Sequence, residues 1–171
     1  MIERFHHSER RYLVPHVFRS AVEAMLSDIL PPGRTYGVET VYVDTPERSW
    51  SLMSDSTLPK MRVRTYGSGE SFYEKKLHNG SDTNKERVAV TGIPDGLTAI
   101  GSTRYTRTEH ELSGIRVTID RDVSMNEIAF DMLIVEVKGE LPKTIRFLLS
   151  FEDKRFSKYK ALSGKWTKET E

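Results

Sequence analysis

The chain contains no cysteine, so neither a disulfide nor a thiolate metal site is open to it. It has no apolar run of about 20 residues, the length a membrane-spanning helix requires. Its opening stretch, MIERFHHSERRY, is charged and has no apolar signal-peptide core. These absences fit a cytoplasmic protein with no membrane span. Charge of one sign is not in excess either: 26 Lys and Arg stand against 25 Asp and Glu, a net charge of +1. That balance argues against a generally basic nucleic-acid binder. Aromatic residues are not interleaved with the basic ones as stacking platforms, so no nucleic-acid partner is expected. Repeats and low-complexity segments are missing too.

What is present is a length of 171 residues with 37% hydrophobic and 30% charged content. This predicts one domain, residues 1–171, with a real core beneath a large polar surface. Side chains alternate between faces along a strand, and this chain alternates charge with apolar groups repeatedly. In KMRVRTY (60–66), Lys60, Arg62, Arg64 and Tyr66 share one side while Met61, Val63 and Thr65 share the other. The device returns with Glu74 and Lys76, Lys85 and Arg87, Tyr105 and Arg107, Arg116 and Asp120, and Glu136 and Lys138. Six such strands point to a shared cationic surface that holds a polyanion. Because the total charge is near zero, local potential would do the binding.

Strands are predicted at 9–14, 38–44, 49–53, 60–66, 71–77, 85–91, 103–112, 115–122 and 130–139. A helix is predicted over 16–30, where Val17, Val22, Met25, Leu26 and Ile29 form a core-facing stripe stopped by Pro31, Pro32 and Gly33. A second helix is predicted from Pro142, and residues 92–102 read as a loop. Gly67-Ser68-Gly69 is a hairpin turn and not a phosphate loop, because neither a lysine nor a helix start follows it. His6 and His7 have no third ligand at metal-binding spacing and read as a surface pair. Strands in this number suggest a barrel or a sandwich. If helices cover the apolar faces from outside, the charged faces line a lumen. An ordinary antiparallel sheet with its polar face in water remains the other reading.

The motifs in order are ERRYLV (9–14), VYVDTP (41–46), KMRVRTYG (60–67), FYEKKL (72–77), KERV (85–88), RYTR (104–107), IRVTID (115–120), VEVKG (135–139) and FSKY (156–159). This string resembles the CYTH-like triphosphate tunnel metalloenzyme superfamily, and within it the polyphosphate polymerase domain of vacuolar transporter chaperone (VTC) proteins. The resemblance implies a mainly β (α+β) fold, a closed eight-stranded antiparallel β-barrel with flanking helices outside. It implies a polymerase moving the γ-phosphate of ATP onto a growing polyphosphate. The alternatives are a tripolyphosphate or nucleoside triphosphate hydrolase, or a non-catalytic polyphosphate binder.

The resemblance also implies site residues. Arg62, Arg64, Lys76, Arg107 and Arg116 take the catalytic phosphate-gripping positions. Arg11, Lys60, Lys85, Arg87, Lys138, Ser157 and Lys158 are substrate contacts. Glu136 holds Mn²⁺ or Mg²⁺, with Glu9 and Glu74 as further ligands and Asp120 as a secondary candidate. Two roles have a structural alternative: Glu74 orients Lys76, and Asp120 orders Arg116. The usual Glu-x-Glu-x-Lys opening reads His7, Glu9, Arg11 here, so its first glutamate is missing and arginine stands for lysine. The segment between Arg87 and Arg107 is also short for the polymerase branch. Arginine suits phosphate because its planar fork grips two oxygens, whereas lysine supplies point charge. Phosphoryl transfer is mainly a matter of positioning and charge, so cations and a few carboxylates are the groups it needs.

Overall fold

A computed structural model describes residues 2–47, 59–79 and 82–164. β1 (Glu3–Pro15) runs directly into α1 (His16–Ile29) at Pro15, whose fixed φ of −59° suits the entry to a helix. There follow β2 (Arg34–Asp44), β3 (Lys60–Tyr66), β4 (Ser71–Asn79), β5 (Asp82–Ala89), β6 (Thr98–Leu112) and β7 (Ile115–Met125). The two-residue β8 (Ile128–Ala129) and β9 (Met132–Lys138) complete the strands. A 3-10 helix (Lys143–Phe151) and the short α2 (Lys158–Leu162) end the described chain. The strand expected at 49–53 lies outside the described residues, as do the side chains of His6 and His7. No described helix is long and apolar enough to cross a membrane.

Every ladder is antiparallel, and the sheet order is β6-β2-β3-β4-β5-β1-β9-β7-β8, with β6 also pairing β7. The sheet therefore curls, and its inner faces converge. It is not the closed eight-stranded barrel expected from the sequence. Nine strands are described, and the hydrogen-bonded wall is interrupted along β1. Among the described strands, residues Glu3 to Ser8 pair with β5 and Glu9 to Pro15 with β9, and beyond the strands Tyr12 makes an isolated bridge to Glu152. Each half of β1 thus has a strand on one edge alone. Alternation shows which side chains share a face, but not how two partners divide a 13-residue strand between them.

Two hairpins turn at paired positive-φ residues, Ser113-Gly114 (52° and 77°) and Asn126-Glu127 (49° and 67°). Both central residues of such two-residue turns need φ > 0, so Gly and Asn are favoured. Glu127 is an unusual choice, which is why β8 leaves no sequence signal. β6 begins at Thr98, well before the expected residue 103. Its added length pairs with the end of β2 across a register shift at Tyr42/Val43, and its Gly101 and Ser102 carry no strand alternation.

The main core lies on the outer face of β1, β7 and β9. There Tyr12, Val14, Val117, Ile119, Val135 and Val137 meet Val22 and Leu26 of α1 and Ile145 and Leu148 of the 3-10 helix. Burial of these apolar groups is what holds the helices onto the sheet. The stripe expected on α1 is narrower than its spacing implied, since Val17 and Met25 are 79% and 44% exposed. A smaller group, Val43, Met61 and Val63, backs β2 and β3 under Val90 and Leu97. With the outer faces of β2, β3, β7 and β9 apolar, the alternate, charged positions of those strands turn inward.

Candidate phosphate-binding site

The inward positions of β1, β2, β3, β4, β5, β6 and β9 and the start of α2 surround one cavity. Its lining includes nine cationic side chains: Arg11, Lys60, Arg62, Arg64, Lys76, Lys85, Arg107, Lys138 and Lys158. Among the described residues, Glu9 and Glu136 are the carboxylates in the lining, with Tyr42, Ser157 and Tyr159 beside them. The cations are held apart by buried carboxylates. Glu74, fully buried behind the lining, accepts from Arg62 Nε (2.7 Å) and Lys85 Nζ (3.2 Å), with Arg64 Nη1 at 3.9 Å. Arg64 also donates from Nε to Thr40 Oγ1 at 3.2 Å. Glu9 accepts from Arg11 (2.6 Å) and Lys76 (2.7 Å).

Asp120 is the second buried anchor. It receives two hydrogen bonds from Arg107 and one of 2.7 Å from Lys158 Nζ. Glu136 lies between these groups, with Arg107 Nη2 3.2 Å from Oε2 and Arg11 Nε and Lys158 Nζ 3.5 and 3.6 Å from Oε1. The C-terminal segment is docked onto the site by the same charges. Arg11 donates to the Phe156 carbonyl at 3.2 Å, and Ser157 caps α2 by accepting from the Lys160 amide at 3.1 Å.

This crowding moves the titrations. Burial and neighbouring cations lower Lys76 to about 7, against the pull of Glu9. Burial lowers Lys60, Lys85 and Lys138 to about 8, and adjacent arginines push the same way. Lys158 is raised, since Asp120 and Glu136 outweigh its burial. Burial alone would raise Glu9, Glu74, Asp120 and Glu136, yet the surrounding cations hold all four below the usual carboxylate range. The cluster therefore keeps a surplus of positive charge in a poorly hydrated space, the condition under which a polyanion is held most strongly.

Most of the residues singled out in the sequence line this cavity, and Arg116, Arg87, Glu74 and Asp120 do not. Arg116 has the inward parity of β7 but sits at its beginning, half-exposed, with Glu109 at 3.8 Å. Arg87 is held by Glu3 at 2.5 Å and stacks over the Phe72 ring, outside the cavity lining. Glu74 stands behind the lining with its two oxygens taken by Arg62 and Lys85. It does not orient Lys76, which turns to Glu9. Asp120 orders Arg107 and Lys158, not Arg116. Lys60 and Lys138 both line the cavity.

Tyr42 and Tyr159 escaped the sequence reading. They meet edge to face at 5.5 Å, and Lys60 Nζ lies 5.2 Å from the centre of the Tyr159 ring. Tyr42 sits in the apolar run Val41-Tyr42-Val43, where its inward parity was the only signal. It lies directly opposite Arg62 in the β2–β3 ladder.

Among the described residues, no three His, Asp or Glu side chains come together as a metal cluster. The lining does offer Glu136 Oε1, whose cations stand back at 3.5 and 3.6 Å, and Glu9. Mg²⁺ is commonly held by one or two carboxylates plus phosphate oxygens and water. The donor set fits an ion that arrives with its phosphate, and not a centre built from protein alone.

No family model matches the chain, and no curated protein matches it by sequence. Solved structures do share its fold. A Hippeastrum protein, described as a proposed adenylyl cyclase that reveals a dominant triphosphatase activity, is 14% identical with a TM-score of 0.68, over 95% of this chain and 98% of the other. The PH1819 protein of Pyrococcus horikoshii OT3 is 17% identical with a TM-score of 0.67, over 94% and 99%. A protein of Bacillus halodurans, described as a proposed adenylate cyclase, is 14% identical with a TM-score of 0.61, over 98% and 95%. These likenesses show the shared fold.

Proposed function

We propose that the cavity binds a short linear triphosphate, either tripolyphosphate or a nucleoside triphosphate such as ATP, and hydrolyses its terminal phosphoanhydride with Mg²⁺ or Mn²⁺. One observation carries this reading: among the described residues, nine Lys and Arg side chains and two carboxylates line one buried space. No ordinary apolar ligand fits such a lining, and a chain of phosphates does. The activity described for the Hippeastrum protein favours water over a phosphate terminus as the attacking group.

In the proposed reaction, water attacks the terminal phosphorus. The bond to the bridging oxygen breaks, and orthophosphate leaves together with the shortened chain. The divalent ion, when bound beside Glu136 and Glu9, neutralises part of the charge on the phosphate oxygens. Arg62 and Arg64 are braced by Glu74 and Thr40, so their remaining N–H groups grip non-bridging oxygens without large reorganisation. Arg107 and Lys158, fixed by Asp120, do the same from β6 and α2. Lys76, held by Glu9, adds a further cation to the grip. Chain growth would use the same grip, with a phosphate terminus replacing water.

Incubation with ATP or tripolyphosphate and Mg²⁺ or Mn²⁺, followed by phosphorus NMR and gel electrophoresis, tests the reading. Orthophosphate with the shortened chain is the expected product. Long chains with ADP would mean the polymerase, and tight tripolyphosphate binding without turnover would mean a non-catalytic phosphate-binding domain.

A further inference from the structure

The inner face of the sheet is not charged throughout. One step along the same faces from the site lie Leu13 after Arg11, Val38 before Thr40, Tyr105 before Arg107 and Ile134 before Glu136. With Val123 and Phe156 these form a buried apolar cluster, each member at most 8% exposed. Neighbouring strands supply its members in contact. Leu13 is opposite Ile134, and Val38 is opposite both Tyr105 and Tyr66. The cluster therefore spans β1, β9, β7, β6, β2 and, through Tyr66, β3. Phe156, stacked on Phe130 at 5.6 Å, belongs to it from the C-terminal segment.

Tyr105 stands at the border of the two zones. Lys158 Nζ lies 4.6 Å from its ring centre and the Arg107 guanidinium carbon 5.3 Å. The residue is 2% exposed, and its hydroxyl has no hydrogen-bond partner among the described residues. That hydroxyl is within electrostatic reach of Arg64, Arg107 and Lys158. A buried hydroxyl without a partner is costly, and its cationic neighbours are the groups that would bring a phosphate oxygen beside it.

We infer that this apolar cluster is a stop, and that the Tyr105 hydroxyl donates to the terminal phosphate that comes to rest against it. The inference rests on the triphosphate reading above and deepens it: the site takes a free chain end and is closed to the middle of a long chain. Lys60, Arg62 and Arg64 extend over about 13 Å of strand at ~3.3 Å per residue, a length suited to a few phosphate units. A phosphate chain threaded through the sheet would have to displace several packed apolar side chains.

The test is a calorimetric titration of the intact protein with tripolyphosphate and with long linear polyphosphates of increasing length, in the wild type and in Tyr105→Phe. Tripolyphosphate binding by the wild type is the check on the underlying reading, and its absence would overturn both. Given that binding, the stop predicts at most two proteins per polyphosphate chain, one for each end, whatever the length. A number that passes two and grows with length would overturn it. Tyr105→Phe keeps the ring in the cluster and should weaken tripolyphosphate binding by roughly tenfold. Unchanged affinity in a folded variant would remove the hydroxyl from the assigned role.

Discussion

Arg107 and Asp120 stand opposite one another in the β6–β7 ladder and are joined by two hydrogen bonds, 2.6 Å from Nε and 2.8 Å from Nη2. Both side chains are buried, and Asp120 also holds Lys158 of the C-terminal segment. One carboxylate thus fixes two cations from different parts of the chain. Replacing it with a neutral isostere leaves two buried cations with Glu136 as the one carboxylate shared between them. Asp120→Asn should lower stability by about 3–5 kcal/mol, the usual cost of breaking a buried ion pair from one side. Denaturant unfolding would show this as a large fall in midpoint, and a midpoint close to wild type would contradict the bracing role.

The lysines give the site a pH signature. Lys76 is lowered to about 7 and Lys60, Lys85 and Lys138 to about 8, whereas the unfolded chain keeps lysine near its ordinary value of 10.5. Between pH 7 and 10 the unfolded state therefore binds more protons than the folded one. Stability of the free protein should rise with pH through this range. Tripolyphosphate acts in the opposite sense, because it needs the protonated lysines, so its stabilisation should shrink above pH 8. Thermal melts with and without tripolyphosphate would check both slopes. A free-protein melting temperature that falls between pH 7 and 9 would contradict the assigned shifts.

Glu136 Oε1 has Arg11 Nε and Lys158 Nζ no closer than 3.5 and 3.6 Å. Glu136→Gln should move the Mg²⁺ or Mn²⁺ titration of activity to higher concentration while tripolyphosphate still binds. An unchanged metal titration would place the ion elsewhere.

Arg116 and Arg87 serve as controls. Each has its own acidic partner outside the cavity, Glu109 and Glu3 respectively. Arg116→Ala should leave hydrolysis within about twofold and stability within about 0.5 kcal/mol, as for surface substitutions generally. Arg87→Ala should likewise spare hydrolysis. A large loss of rate in either would mean that the site extends past the lining described.

Strict alternation made the inner cations legible in the sequence. Arg62, Arg64, Lys76, Lys85 and Arg107 share parity with their neighbours, and parity is all that facing requires. Which carboxylate braces which cation was not legible, because it depends on register between strands far apart in sequence. Lys76 and Glu9 are 67 residues apart, and Arg107 and Glu136 are 29 apart. Arg116 misled for a related reason: it has inward parity but stands at the strand end, where the lining has stopped. The divided pairing along β1 and the unpromising Asn126-Glu127 turn before β8 left no pattern in their own residues. The apolar zone beyond the cations also went unread, since Leu13, Val38 and Ile134 look the same as residues of the outer core.

Arg64 offers the most direct test of the phosphate site. It is the arginine held least closely by Glu74, at 3.9 Å, so Arg64→Ala leaves the Glu74 bonds to Arg62 and Lys85 in place. The measurement is orthophosphate release from tripolyphosphate with Mg²⁺, comparing wild type with an Arg64→Ala protein shown to be folded by circular dichroism. The wild type should turn over, and the variant should be slower by on the order of 10²-fold. Equal rates in the two proteins, or no release by the wild type under any divalent metal, would contradict a triphosphate hydrolase built on these cations.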